Sequence, residues 1–347
     1  MTHKADVMGE GRRTIGYLGK QSPEVEALFL RLAGGRWDFV SSNGPADTPA
    51  FQAALPRLDY MVVSATRVTR PLVAHAPKLK LVNKFGVGYD DIDVDALTER
   101  GIPFAVCPAG LAEAVSEHAL ALILAAVKRI PEVDDRIRRK GEWPTWQIRS
   151  HIRQLGGKTV GIIGFGRIGR LVAGLLLAFG CTLLIYDQRA SQEGFEAEQA
   201  NGRLAFTDDL DELFARSSVV TLHVPLTDET QHLVTEERMR LLGPEGLLVN
   251  TARGAIVDQE ALTRCLKDGG LGFAALDVVA DERPATGAPL FDLPNVIVTP
   301  HVAGGGPDVL ERRVAFIIRN IENLEAGLPV SDGINTDALK TMKGAHA

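Results

Sequence analysis

The sequence predicts an α/β protein of two domains, each built on a parallel sheet, the second of them doubly wound. Three observations predict it. The chain has 347 residues, and at about 150 residues per domain that length accommodates two. Short apolar runs alternate with helix-like stretches in two successive series, the pattern of β-α-β units. The 35 glycines exceed the usual share of about 7% and fit many tight strand-to-helix turns.

Taken in order, the first series places strands at residues 14–18, 38–40, 60–63, 79–82 and 102–106, with helices such as 24–32 and 94–100 between them. After Pro108 a longer helical pattern runs from Ala112 to Arg129. A polar stretch with Gly141, Pro144, Trp143 and Trp146 comes next. The second series then places strands at 159–163, 182–186, 219–222, 247–250, 273–276 and 296–299. Six strands separated by helical segments suit a doubly wound dinucleotide fold, in which ligands bind outside the carboxyl ends of the strands. The residues just past each strand are therefore the candidate site. The exits are Gly164-Phe165-Gly166-Arg167-Ile168-Gly169, Asp187, His223-Val224-Pro225, Thr251-Ala252-Arg253, Asp277 and Pro300-His301. Polar, glycyl or ionisable groups stand at all of them.

Composition excludes several classes. Hydrophobic residues make up 45% and charged residues 24%, an ordinary globular balance. A net charge of −6 argues against a nucleic-acid surface or a polybasic membrane patch. The longest uncharged apolar run, 119–127, is far short of the roughly 18 residues of a membrane span. The first residues carry charge with no apolar segment behind it, so no secretory signal is expected. Cys107, Cys181 and Cys265 are scattered, which points to a reduced, cytoplasmic protein. Cys107 and Cys181 read as small core residues. The histidines show no metal-ligand spacing, and no metal is expected.

A lone GxGxxG is weak, but its context here is right. The β-branched run 159–163 leads into it, and a helix leaves it with Ile168, Leu171, Val172, Leu175, Leu176 and Phe179 on one stripe. The next strand ends in Asp187, 18 residues past Gly169, close to the roughly 20 expected of a ribose-binding acid. Gly164 permits the tight turn, Gly166 lets the backbone approach a pyrophosphate, and Gly169 lets helix and strand pack closely. Asp187 repels a 2′-phosphate and favours NAD over NADP, while Arg189 two residues on is placed to contact such a phosphate. Gly86-Val87-Gly88 looks like half of a second fingerprint, but Asp91 stands where the third glycine belongs.

Five blocks, in order along the chain, resemble the signature set of the D-isomer-specific 2-hydroxyacid dehydrogenases. They are Phe85–Tyr89 with Ile92-Asp93, His223–Thr227 with Thr230, Asn250–Gly254, Ala275–Val278 with Glu282, and Thr299-Pro300-His301. The resemblance implies a Rossmann NAD-binding domain at 112–301, inserted in a flavodoxin-like substrate domain made of 1–111 and 302–347, and a homodimer formed through the NAD domain. It implies NAD as cofactor and hydride transfer between a D-2-hydroxy acid and its 2-oxo acid. Reducing such an acid needs a cation for the carboxylate and an acid for the carbonyl oxygen. Arg253 offers its planar fork to a carboxylate. His301 donates the proton and takes it back in the other direction. Glu282 favours the charged imidazole and fixes its orientation.

By the same resemblance Arg167, Ile168, Thr230, Thr251 and Ala252 line the cofactor, His223 and Pro225 shape the loop beside the adenine, and Asp277 faces the nicotinamide carboxamide. A cap or turn role is the alternative for Asp277. Val87 and Gly88 are expected to present backbone N–H groups to the substrate carboxylate, a plain tight turn being the alternative. Lys84 just upstream adds positive charge near an anionic substrate. The chain departs from the family pattern at Leu111 and Asp91, each in place of an Asn, at Arg283 between Glu282 and Pro284, and in the glycine run after His301. These departures bear on substrate identity and leave the hydride chemistry intact. The rival reading is an NAD(H)-sensing interaction protein of the corepressor type on the same fold.

Overall fold

The computed structural model describes residues 12–44, 46, 48–188, 193–281 and 287–345. The chain divides into two compact units, Met1–Leu111 with Gly306–Ala347, and Ala112–Gly305.

Among the described residues the first unit holds five parallel strands, β1 (Thr14–Leu18), β2 (Asp38–Ser41), β3 (Leu58–Val63), β4 (Leu81–Lys84) and β5 (Phe104–Ala105). Their spatial order is β2-β1-β3-β4-β5, a doubly wound arrangement. β1 and β3 are buried along their whole length. This is why they read as continuous apolar runs: helices cover both faces of a parallel sheet. One face is closed from the far end of the chain, where Val314, Ile317, Ile318 and Ile321 of the helix Pro307–Glu325 pack on Ile15, Tyr17 and Val62. The fourth strand starts two residues later than its apolar run suggests.

The second unit holds β6 (Thr159–Ile163), β7 (Thr182–Tyr186), β8 (Leu204–Phe206), β9 (Val219–Leu222), β10 (Leu247–Asn250), β11 (Phe273–Leu276) and β12 (Val296–Val298). All pairings are parallel, in the order β12-β11-β10-β9-β6-β7-β8. This is the Rossmann order with one strand added, and its direction reverses between β6 and β9, where such sheets bind ligands. The six expected strands are present. The seventh, β8, is a three-residue edge strand with too little apolar length to announce itself.

The long helix expected over 112–129 is present as Leu111–Val127, and a second helix, Ile130–Lys140, follows where the sequence reads as a polar stretch. Pro131 cannot donate into the preceding turn, so the chain breaks at Arg129, which adopts φ +56°, and restarts. The glycine-loop helix, Arg167–Ala178, buries Gly169, Val172, Ala173, Leu176 and Leu177, while Leu171 and Phe179 of the expected stripe are exposed. The buried face is centred on the small residues Gly169 and Ala173, which bring the helix close to the sheet. Among the described residues no helix is long and apolar enough to cross a membrane.

Candidate active site

At the carboxyl edge of the second sheet the chain is wired by its own backbone. Gly164 leaves β6 at φ +95°, and a Cβ there would sit 2.5 Å from the carbonyl oxygen of His223. Its N–H donates to Tyr186 O at 2.9 Å, and His223 N donates to Ile163 O at 2.7 Å. The exits of β6, β7 and β9 are thus tied together at the reversal point. A Cβ on Gly169 would lie 2.1 Å from Gly164 O, so only glycine lets the helix begin here. Gly166 differs. A Cβ there meets nothing within 4 Å, and its φ of −75° suits any L-residue.

Among the described residues nothing therefore requires glycine at 166; a glycine there fits a ligand resting against the backbone. Gly166 also caps the Arg167–Ala178 helix without a side-chain acceptor. The N–H groups of the first turn, from exposed Arg167 and half-buried Ile168 onward, thus point where a pyrophosphate would lie. Asp187 closes the other side of this cradle, its Oδ2 accepting from Phe165 N at 2.7 Å. These features fit a dinucleotide. Arg189 lies outside the described residues.

His223 stands just past β9, with Nε2 3.0 Å from Thr221 Oγ1. The residue keeps a partly exposed edge, but protein atoms crowd the ring, and that desolvation holds its pKa down at about 4. The imidazole is neutral at neutral pH. In the loop beyond it, Thr230 Oγ1 donates to Pro225 O at 2.7 Å and accepts from Thr227 N at 2.8 Å. That hydroxyl closes the loop on itself.

After β10, buried Asn250 forms the next turn: its Oδ1 accepts from Ala252 N and its Nδ2 donates to Arg253 O, both at 2.9 Å. Gly254 fixes the turn against the chain after β11, since a Cβ there would lie 2.0 Å from the carbonyl carbon of Val279. Arg253 is half-buried at this corner, with Nη1 donating to Ala252 O at 2.8 Å. Beside it, Thr251 Oγ1 is buried with no partner among the described residues. A buried hydroxyl left so costs about 1–3 kcal/mol until something supplies the bond.

Asp277 comes directly after β11 and is fully buried as a side chain. Its Oδ1 accepts from Thr299 Oγ1 at 2.5 Å and Val302 N at 3.0 Å, and its Oδ2 accepts from Ala303 N at 2.9 Å. His301 N donates to the Asp277 carbonyl at 2.8 Å. The carboxylate is thus a turn anchor, the alternative role open to it on sequence grounds, and it anchors the turn carrying His301. His301 stands at φ +55°, a region that costs a non-glycine residue about 1 kcal/mol or more. Asn250 and the turn role of Asp277 leave a faint mark in sequence, a short polar residue ending each strand.

The second unit therefore brings the glycine loop, Asp187, His223, Arg253, Asp277 and His301 to one edge of one sheet. Glu282 lies outside the described residues. Val87 and Gly88 belong to the first unit, in the loop after β4, with Val87 exposed. Lys84 at the end of that strand is 7% exposed, and all three of its donors are used: Nζ bonds both oxygens of Asp91 at 2.6 Å and Ser64 O at 2.7 Å. Asp91, one of the two replacements of a family Asn, pairs with this charge inside the first unit. The three cysteines are free thiols and buried.

Residues 120–303 match the family model described as D-isomer specific 2-hydroxyacid dehydrogenase, NAD binding domain. The chain is 39% identical over 323 residues to D-3-phosphoglycerate dehydrogenase of Mycobacterium tuberculosis, an alignment covering 91% of this chain and 57% of that protein. It thus spans little more than half the length of that relative. It is 37% identical over 288 residues to glyoxylate reductase of Thermococcus litoralis, covering 81% of this chain and 85% of the relative. Among solved structures it is similar to D-lactate dehydrogenase of Aquifex aeolicus complexed with NAD and lactic acid. The TM-score is 0.80 and the identity 32%, with 91% of this chain and 96% of that one covered.

Proposed function

The chain belongs to the D-isomer specific 2-hydroxyacid dehydrogenase family, and on that premise we propose that it interconverts a D-2-hydroxy acid and its 2-oxo acid. The cofactor is NAD, which supplies the hydride in reduction and accepts it in oxidation. The observation that carries the reading is the shared edge: Arg253 after β10 and His301 after β12 flank β11 on the sheet whose β6 exit carries the open Gly166 cradle.

Each residue then has a task. The first turn of the Arg167–Ala178 helix holds the pyrophosphate on its N–H groups, and Asp187 takes the ribose hydroxyls and disfavours a 2′-phosphate. Arg253 grips the substrate carboxylate, which orients the neighbouring carbonyl carbon toward the hydride. His301 gives its proton to the carbonyl oxygen as the C–H bond forms, and takes a proton from the hydroxyl in the reverse direction. Glu282 is assigned the role of holding that imidazole in its charged form, and Val87 and Gly88 that of presenting N–H groups to the substrate carboxylate. A homodimer through the second unit is part of the same proposal.

The test is NADH oxidation against glyoxylate, hydroxypyruvate, pyruvate, phenylpyruvate and 3-phosphohydroxypyruvate. Turnover on at least one is expected. His301→Ala should lower kcat by about 10²–10⁴-fold with NADH still bound, and Arg253→Gln should lower kcat/KM for the 2-oxo acid by roughly 10–100-fold. No turnover on any substrate, with NADH bound tightly, would overturn the enzyme reading in favour of a nucleotide-sensing protein.

A further inference from the structure

His118 belongs to no motif that the reaction uses, yet it reaches the turn that carries His301. It lies on the helix Leu111–Val127, with its side chain 23% exposed. Its Nε2 is 3.0 Å from Thr299 Oγ1 and 3.4 Å from Asp277 Oδ1. The direction of each bond is set by the donors available. A carboxylate only accepts, so the Thr299 hydroxyl proton goes to Asp277 Oδ1, 2.5 Å away. The Thr299 oxygen then has only lone pairs to offer, and His118 must donate Nε2–H to it. The result is a chain from helix to imidazole to hydroxyl to carboxylate, which ends on Val302 N and Ala303 N at 3.0 and 2.9 Å. His301 sits between those anchor points at its positive φ.

We propose that His118 is a positioning residue: by donating to Thr299 it holds the Thr299–Asp277 pair in place, and with it the turn that aims the His301 imidazole. Loss of the donor leaves the threonine oxygen unpaired and frees its hydroxyl to rotate away from Asp277. The turn then keeps two of its three carboxylate bonds and the strained φ of His301 is less firmly held. A misplacement of even 1 Å at a reacting group can cost up to about 10²-fold in rate. The inference rests on His301 being the acid and base of the reaction proposed above.

The experiment uses His118→Phe, which removes the donor, and His118→Gln, whose side-chain amide restores an N–H near the same place. His118→Phe should lower kcat about tenfold, with KM for the 2-oxo acid and Kd for NADH within about twofold; His118→Gln should return to within about threefold of the unaltered chain. Added to Thr299→Val, His118→Phe should change kcat less than about twofold, because the partner it acts through is gone. Amide exchange at Val302 and Ala303 should quicken in His118→Phe and slow again in His118→Gln, a readout that needs no turnover. Unchanged kcat and unchanged exchange in His118→Phe overturn the inference, as does a loss that His118→Gln fails to rescue. Full turnover in His301→Ala instead overturns the functional reading beneath it.

Discussion

The two sheets use the same architecture, and their carboxyl edges differ in what the acidic side chains meet. In the first unit the loop after β4 contains Gly86, where a Cβ would meet nothing within 4 Å, and Lys84 at the end of the strand pairs with Asp91. In the second unit the loop after β6 is pinched between backbone atoms at Gly164 and Gly169. Asp187 and Asp277 there accept from backbone N–H groups of neighbouring turns. Both edges carry main-chain bonds between strand exits, Phe85 N to Val63 O in the first unit and His223 N to Ile163 O in the second, each at 2.7 Å; in the first the acid Asp91 meets a cation, and in the second Asp187 and Asp277 meet backbone N–H groups. Main-chain wiring holds a loop to a single geometry because the bonds it uses are short and obligatory. That is what preorganised catalysis needs from a scaffold.

The largest effects are expected inside the glycine loop. Gly169→Ala should destabilise the chain by about 3 kcal/mol, because the new methyl meets the Gly164 carbonyl and the helix must move. Gly166→Ala should change stability by less than about 1 kcal/mol yet weaken NADH binding tenfold or more, since the proposed function gives that space to the pyrophosphate. Thermal unfolding and NADH fluorescence titration of the two variants separate the roles. Equal stability losses would mean that Gly166 is held by the fold and not by a ligand.

Acid probes the second edge next. His223 has a pKa near 6.5 in the unfolded chain and about 4 in the folded one, so the unfolded state binds the extra proton between those values. The contribution is fully present above pH 6.5 and is lost as pH falls toward 4, amounting to at most about 3 kcal/mol. His223→Gln should flatten that part of the stability curve in urea titrations between pH 7 and 4; an unaltered curve would show that other groups carry it.

At the first edge the effect falls on stability alone. Lys84→Met should cost about 2 kcal/mol by leaving Asp91 without its cation, and Lys84→Met with Asp91→Leu should recover at least half of it. NADH affinity should stay within twofold in both, measured by the same titration. A large loss of NADH affinity would tie the first unit's ion pair to nucleotide binding and erase the contrast.

Much of the fold was legible in sequence because parallel strands buried on both faces read as unbroken apolar runs, and the site edge because each exit of the second sheet carries a polar, glycyl or ionisable residue. The glycine spacing, Asp187, Arg253 and His301 are local signals of that kind. The helix Ile130–Lys140 was obscured by its mostly charged sequence, and β8 by its three-residue length. The partners of Lys84 and Asp277 were not legible, since a charged residue in sequence says nothing about which charge or N–H it will meet.

By itself, then, the sequence determined the alternation of elements, the parallel sheets and the order of chemical groups along the site edge, all consequences of short-range pattern and periodicity. Only the tertiary structure decided which polar groups answer each other. It set Asp91 against Lys84, turned Asp277 into the anchor of the His301 turn, and brought His118 from a helix 181 residues earlier to Thr299. Those choices depend on distances across the folded chain, where a buried charge or hydroxyl must find its partner wherever the topology has placed one.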